Sequence, residues 1–134
     1  MRVAAVVLER LLAEAQAAAP CECCGLLLGH VDTVIAIQPA ANVHPSPAAH
    51  FEIEPAALIA AHRAARRGGP RIIGYYHSHP TGPPEPSATD RALAAGDGRV
   101  WAIAGRGAAG EWTVRFWRAE ADGFVPLPSQ TIGR

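Results

Sequence analysis

The stretch YYHSHPTGPPEPSATD, residues 75 to 90, holds the side chains best suited to chemistry. His77 and His79 are one residue apart, and Asp90 follows a proline-rich bend and Ser87. Side chains two apart on a strand point to the same face, so a strand running through both histidines lets their imidazoles converge. Two imidazoles and one carboxylate, with a fourth position left to water, is a ligand arrangement of catalytic zinc. The bend PTGPPEP supplies the turning that returns a following helix to the strand end. The same residues support another reading. Ser-x-x-Asp ahead of an apolar run is a capping box, with Ser87 as N-cap and Asp90 at the third helical position. The two are not exclusive, since a helix begun at Ser87 leaves Asp90 in its first turn, facing either its own cap or a metal.

The elements that must position these residues follow from periodicity. Residues 3 to 18 predict a helix with Val7, Leu8, Leu11, Leu12 and Ala15 on one face, ended by Pro20. CGLLLGH and TVIAIQ, separated by Val31 and Asp32, predict two paired strands with a tight turn. Residues 39 to 49 carry three prolines and predict a loop. HFEIEP alternates Phe51 and Ile53 against Glu52 and Glu54, as a half-buried strand does, and Pro55 suits the first turn of a helix. That helix runs through AALIAAHRAARR to a stop at Gly68-Gly69-Pro70. RIIGYYH predicts a strand, Ser87 opens a third helix ending near Gly96, and RVWAIAG with EWTVRFWR predicts a closing hairpin. The order is α-β-β-β-α-β-α-β-β, without repeats or linkers.

Bulk properties narrow the classes. The chain of 134 residues fits one domain, 1–134, and its 49% apolar residues supply a packed interior. Net charge is zero, with arginine as the sole strongly basic residue type, which disfavours a nucleic-acid binder working through a broad basic face. Three cysteines within four residues, Cys21, Cys23 and Cys24, argue against a disulfide scaffold and for a reducing, cytoplasmic setting. Their spacing is also not that of common thiolate zinc sites, so small buried strand residues are the better account, with Cys21 exposed. Glu9, Arg10 and Glu14 interrupt the N-terminal apolar run, which reads as an amphipathic helix rather than a signal peptide. No segment approaches the ~18 consecutive apolar residues of a membrane span. His44, His50 and His62 lack partners at ligand spacing and read as surface or structural residues. RRGG at 66 to 69 mimics a ubiquitin-like tail but is internal, and the end TIGR is not a Gly-Gly tail.

The pattern H-S-H-P-x5-P-S-x2-D resembles the metal motif of the JAMM (MPN-plus) family of zinc peptidases and isopeptidases. Upstream, PCECCGLLLG at residues 20 to 29 is similar to that family's second block: Pro, a glutamate two later, then Cys-Gly and a short apolar strand. The resemblance covers about residues 5 to 120. It implies a single α/β domain with a curved mixed sheet flanked by helices, of the MPN/cytidine-deaminase-like architecture. It makes His77, His79 and Asp90 the zinc ligands, Glu22 the general acid/base, and Ser87 the residue that steadies the oxyanion. By residue type alone, Glu22 is a solvated residue at a strand start.

The shortness of the chain looks like the compact bacterial members. The implied partner is a ubiquitin-like or sulfur-carrier β-grasp protein with a Gly-Gly tail, with an E1-like enzyme in the same pathway, and neither nucleic acid nor membrane. An extended tail is expected to add to a sheet edge beside the metal. One rival is a noncatalytic MPN-type interaction module, which needs broken ligands where all are present here. Another is a RadC-like genome-maintenance protein, which shares an H-x-H-P…P-S-x-x-D block but is disfavoured by the Pro-x-Glu-x-Cys-Gly block and by the neutral charge. A nucleic-acid pull-down separates it from the peptidase.

Overall fold

The structure, a computed structural model, describes residues 1–133; Arg134, the last residue of the TIGR end, lies outside them. The described residues form β1 (Arg2–Ala4), α1 (Ala5–Ala18), β2 (Cys24–His30), β3 (Thr33–Ala40), α2 (Pro55–Arg66), β4 (Arg71–Ser78), α3 (Ala88–Leu93), β5 (Val100–Arg106), β6 (Trp112–Glu120), β7 (Gly123–Leu127) and β8 (Gln130–Ile132). All eight strands join one mixed sheet in the order β7-β6-β5-β4-β2-β3-β1-β8. The α/β class expected from the sequence holds.

Helix α1 covers one face of the sheet. Its buried residues Val7, Leu11 and Ala15 recur every fourth position, and Val7 and Leu11 pack with Leu27, Ile37, Tyr76, Ala102 and Phe116. Burying each Val or Leu side chain contributes ~1.5–3 kcal/mol. Tyr76 reaches through this layer, and its hydroxyl donates to Glu14 Oε1 at 2.7 Å. Burial, followed by that bond, pushes the Tyr76 phenol well above its ordinary value. The other face carries Trp101, Ile103, Trp117 and Ala119, with Phe51 and Phe124 against them. Strand β5 therefore alternates: Val100 and Ala102 go to the helix side, Trp101 and Ile103 to the aromatic side. Burial on both faces explains why VWAIAG is apolar throughout.

Two connections set up the site. β2 pairs antiparallel with β4 in the register Cys24↔His77, and β4 pairs parallel with β5. A parallel pair needs a crossover, here the loop from His79 and helix α3, so both start at the carboxyl end of β4. Such strand ends are where open α/β sheets make their crevices.

The structure corrects several local expectations. HFEIEP is not an extended strand: it makes one isolated bridge, Asn42↔Ile53, with backbone bonds to Val43 and Ala41, and is further tied by the Asn42 side chain. Both flanks of β4 are already occupied, by β2 and β5, so no sheet position beside the site is open to it. Phe51 and Ile53 are still half-buried, as their alternation implied. The first helix starts at Ala5, because residues 2–4 are drawn into parallel pairing with β3 and β8. The third helix ends at Leu93, where Ala94 turns extended (ψ 131°). β3 runs through Pro39, tolerated because β1 has already left that flank and no N–H is needed there. The turn after β2 uses Asp32 at φ 61°, a left-handed conformation that Asp accepts. Helix α2 stops where expected, with Gly68 at φ 90°.

Candidate metal centre

The strand β4 formally ends at Ser78, but the His79 amide donates to the Ala104 carbonyl at 2.7 Å and continues the pairing with β5. His79 therefore follows His77 onto the same side, and their Nε2 atoms lie 3.1 Å apart. His77 Nε2 is 3.1 Å from each Asp90 oxygen, and His79 Nε2 is 3.2 Å from Oδ2. His77 and Asp90 are buried and His79 is half-buried. The candidate ligand atoms all lie within 4.8 Å of one another, the one such group of three among the described residues.

The donor set fits a cation. His79 Nδ1 lies 2.9 Å from the Pro83 carbonyl, which can only accept, so Nδ1 carries the proton. In the neutral ring Nε2 is then a bare lone pair, facing a carboxylate that is also acceptor-only. A metal ion resolves that opposition, and the carbonyl partner is the kind of outer support that orients a ligating imidazole. The loop that provides it is itself tied down. Arg106 N–H donates to the Gly82 carbonyl at 2.8 Å and Trp117 Nε1–H to the Pro84 carbonyl at 3.1 Å. Gly105 lets this loop lie on β5, since a Cβ there would sit 2.5 Å from Pro84 N and 2.6 Å from Pro83 C. His77 is held by packing instead, stacked on Phe51 (4.3 Å between centroids, 17°) and edge-on to Trp101 at 5.7 Å.

Asp90 serves its helix and the cluster together. Ser87 N–H donates to Asp90 Oδ2 at 2.9 Å, and Asp90 N–H returns to Ser87 Oγ at 3.0 Å. The capping box is thus present, and the same carboxylate lies within the cluster that could hold a metal. The Ser87 oxygen is used as an acceptor, which leaves its hydroxyl proton free to donate.

Glu22 reaches the same place through strand register. Cys24 opposite His77 sets Glu22 opposite His79, and the approach is stitched by Cys23 N–H to Ser78 Oγ at 2.8 Å and Ser78 N–H to the Cys23 carbonyl at 3.2 Å. Glu22 is buried rather than solvated at 7% exposure. Burial raises its carboxyl to about 7, with His79 lowering it and Asp90 raising it. Burial also lowers the His77 imidazole against the pull of Asp90. At His79 burial is outweighed by the Asp90 and Pro83 bonds, and the ring is raised. Burial would raise Asp90, yet its bonds to His77 and His79 hold it well below the usual carboxylate range.

The remaining candidates fall elsewhere. Cys24 is buried, with Cys23 and Cys21 half-buried; burial pushes Cys23 to about 11 and Cys24 to about 12, so both stay thiols at neutral pH. Cys21 is therefore less open than its expected exposure. His44 and His50 pack on each other at 4.7 Å between centroids. Phe51, Trp101, Pro83 and Asn42 support the site without having been singled out in the sequence. Only Asn42 carried a local signal, an Asx-turn to the amide two residues on, seen here as His44 N–H to Oδ1 at 3.1 Å.

A mixed α/β domain that gathers two imidazoles and a carboxylate beside a second, buried carboxylate defines a hydrolytic metal centre. The chain belongs to the JAB/MPN family: residues 4–120 match the family described as prokaryotic homologs of the JAB domain. It is 41% identical over 99 residues to the protein of Haloferax volcanii named "Desampylase", covering 70% of this chain and 71% of that one. It is 42% identical over 86 residues to the Thermus thermophilus protein named "Probable TtuB-protein conjugate cleaving protease", covering 63% of this chain and 56% of that one. A solution structure of a protein from Desulfitobacterium hafniense superposes with a TM-score of 0.85 at 28% identity, over 99% of this chain and 93% of that one. The crystal structure of a JAB1/MPN domain protein from Archaeoglobus fulgidus shares the fold, with a TM-score of 0.61 at 21% identity over 96% and 98% of the two chains. With its His-His-Asp group intact, the chain is a metallopeptidase of the JAMM type.

Proposed function

We propose that the protein hydrolyses the peptide or isopeptide bond after the C-terminal Gly-Gly of a ubiquitin-like or sulfur-carrier β-grasp protein, with His77, His79 and Asp90 holding zinc. The observation that carries the chemistry is Glu22, a buried carboxylate at about 7 beside a cluster whose lone pairs converge. A bound zinc supplies Lewis acidity, polarising a carbonyl and making water acidic enough to ionise near neutral pH.

The chain's own residues do the rest. Glu22 takes a proton from the attacking water and returns it to the departing amine, so the C–N bond breaks as a C–O bond forms and an acid and an amine result. Burial favours the protonated carboxyl, so Glu22 can hold that proton between the two steps. The free Ser87 hydroxyl proton donates to the carbonyl oxygen as negative charge develops there. His79 keeps Nε2 bare through Pro83, and Phe51 with Trp101 keeps the His77 ring from turning.

The names of the two relatives support a protein-conjugate substrate. Glycines suit a tail that must pass close to the ligands, because any side chain there would collide. The expected addition of that tail to a sheet edge does not suit this fold. The edges are β7 and β8, and β4 is flanked on both sides. A tail that reaches His77, His79 and Asp90 would have to pass loops 41–54 and 79–87, which carry Phe51 and Pro83 beside them. Amide formation at a carboxylate needs prior activation, so an E1-like adenylating enzyme is the fitting upstream partner. Three free cysteines suit the cytoplasm, and no helix among the described residues is long and apolar enough to cross a membrane. Zero net charge gives no support to a nucleic-acid partner.

The test is a β-grasp protein extended beyond Gly-Gly, incubated with zinc-loaded enzyme and read by mass spectrometry. Cleavage after the second glycine is expected, stopped by chelation and by Gly→Val in the tail. Equal cleavage of unrelated peptides, with none at Gly-Gly, would remove the substrate class and leave the peptidase.

A further inference from the structure

We infer that Asn42 is a positioning residue for catalysis, holding the backbone of Glu22 so that its carboxylate meets the reacting atoms. The inference rests on the reading of Glu22 as the acid/base.

The Asn42 side-chain amide has two N–H donors and two acceptor lone pairs, and all four are used. Nδ2 donates to the Glu22 carbonyl at 3.1 Å and to the His50 carbonyl at 3.0 Å. Oδ1 accepts from His44 N–H and Glu52 N–H, each at 3.1 Å. Three partners lie in the loop between β3 and α2; the fourth is the residue that carries the proposed base. The Glu22 amide is held by the same loop, donating to the Pro47 carbonyl at 2.8 Å. Both polar backbone groups of Glu22 thus depend on this loop, and one depends on Asn42 directly.

The hub also governs a wall of the site. His50 and Glu52, both bonded to Asn42, flank Phe51, whose ring stacks on His77. One amide therefore couples the base to the packing of a ligand imidazole. Two ligands are held by other means, His79 by Pro83 and Asp90 by Ser87, and His77 keeps its edge-on contact with Trp101. Loss of the hub should consequently spare the metal and injure proton transfer. A misplacement of ~1 Å in a catalytic group costs on the order of 10²-fold in rate.

Asn42→Asp keeps the oxygen that accepts from His44 and Glu52, and replaces the donor to Glu22 and His50 with an acceptor that their carbonyls repel. It retains the loop bonds if Asn42→Ala does not fold. Both variants are assayed on the Gly-Gly-extended substrate for zinc content, kcat and KM. Each is then combined with Glu22→Gln and followed in single turnover with enzyme in excess. One zinc per chain, a KM within about twofold of the parent and a kcat lower by about 10²-fold are expected. In the Glu22→Gln background the Asn42 changes should cost nothing more, because a residue acting through Glu22 has nothing left to position. An additive loss in that background, an unchanged kcat, or loss of zinc would each overturn the positioning role. Full turnover by Glu22→Gln alone would instead overturn the acid/base reading on which it stands. Glu22→Gln alone thus decides the acid/base reading, and the Asn42 variants, single and combined, decide the positioning role.

Discussion

Ser87 and Asp90 exchange two hydrogen bonds, amide to carboxylate at 2.9 Å and amide to hydroxyl at 3.0 Å, while the same carboxylate lies 3.1 Å from His77 Nε2. The helix cap thus orients a ligand. A carboxylate on a free side chain would have to lose rotamer freedom to meet a metal, whereas this one is already fixed by the start of α3. The serine oxygen accepts within the cap, so its hydroxyl proton is not used there.

Asp90→Asn separates the two duties. The amide oxygen can still accept from Ser87 N–H, so stability should change by less than about 1 kcal/mol from the cap. The loss of charge should empty the metal site, read as zinc per chain by elemental analysis. Asp90→Ala should lose both, with an additional fall in Tm. Full zinc in Asp90→Ala would mean that the carboxylate is a cap only.

Glu22→Gln should keep the fold and the metal and lower kcat by ~10²- to 10⁴-fold, the usual contribution of a general acid/base. It also has a signature without metal. The Glu22 carboxyl is raised from 4.5 to about 7, so the folded state holds its proton more tightly than the unfolded state does. That contribution to stability is complete below pH 4.5 and is lost as pH rises through about 7. In chelator, the Tm of Glu22→Gln should gain on the parent across this window and level off above it. Parallel Tm curves would show that the carboxylate is not buried as described.

Gly105→Ala should strike at His79 from outside the ligand set. The added Cβ meets backbone of Pro83 and Pro84, which cannot rotate away, so the loop must lift. The Pro83 carbonyl then leaves His79 Nδ1, and loss of such an outer partner weakens metal affinity by ~10- to 100-fold. Competition with a chelating dye measures it, and an unchanged far-UV circular dichroism spectrum shows the sheet intact. Parent-like affinity would show that the loop gives way without disturbing the imidazole.

What the sequence determined by itself was local and periodic. His77 and His79 are two apart on a strand and Ser87 and Asp90 three apart at a helix start, so backbone geometry alone makes each pair neighbours. The buried stripe of α1 and the Gly68 stop are of the same kind. The tertiary structure decided everything that depends on which strand lies beside which. Glu22 is solvated or buried according to whether Cys24 faces His77, and that register is settled by pairing between distant segments. FEIEP has the alternation of a strand and is none, because β2 and β5 already occupy both sides of β4. The edge strands β7 and β8 escaped the sequence reading for a related reason. They bury little, β7 contains Pro126, and their pairing comes from neighbours rather than from their own pattern. The cluster of His77, His79 and Asp90 was legible because its spacing is its geometry. Glu22 was legible only through the family resemblance, and its backbone contact with Asn42 not at all, because contacts across the sheet and loop, absent from any local pattern, hold it.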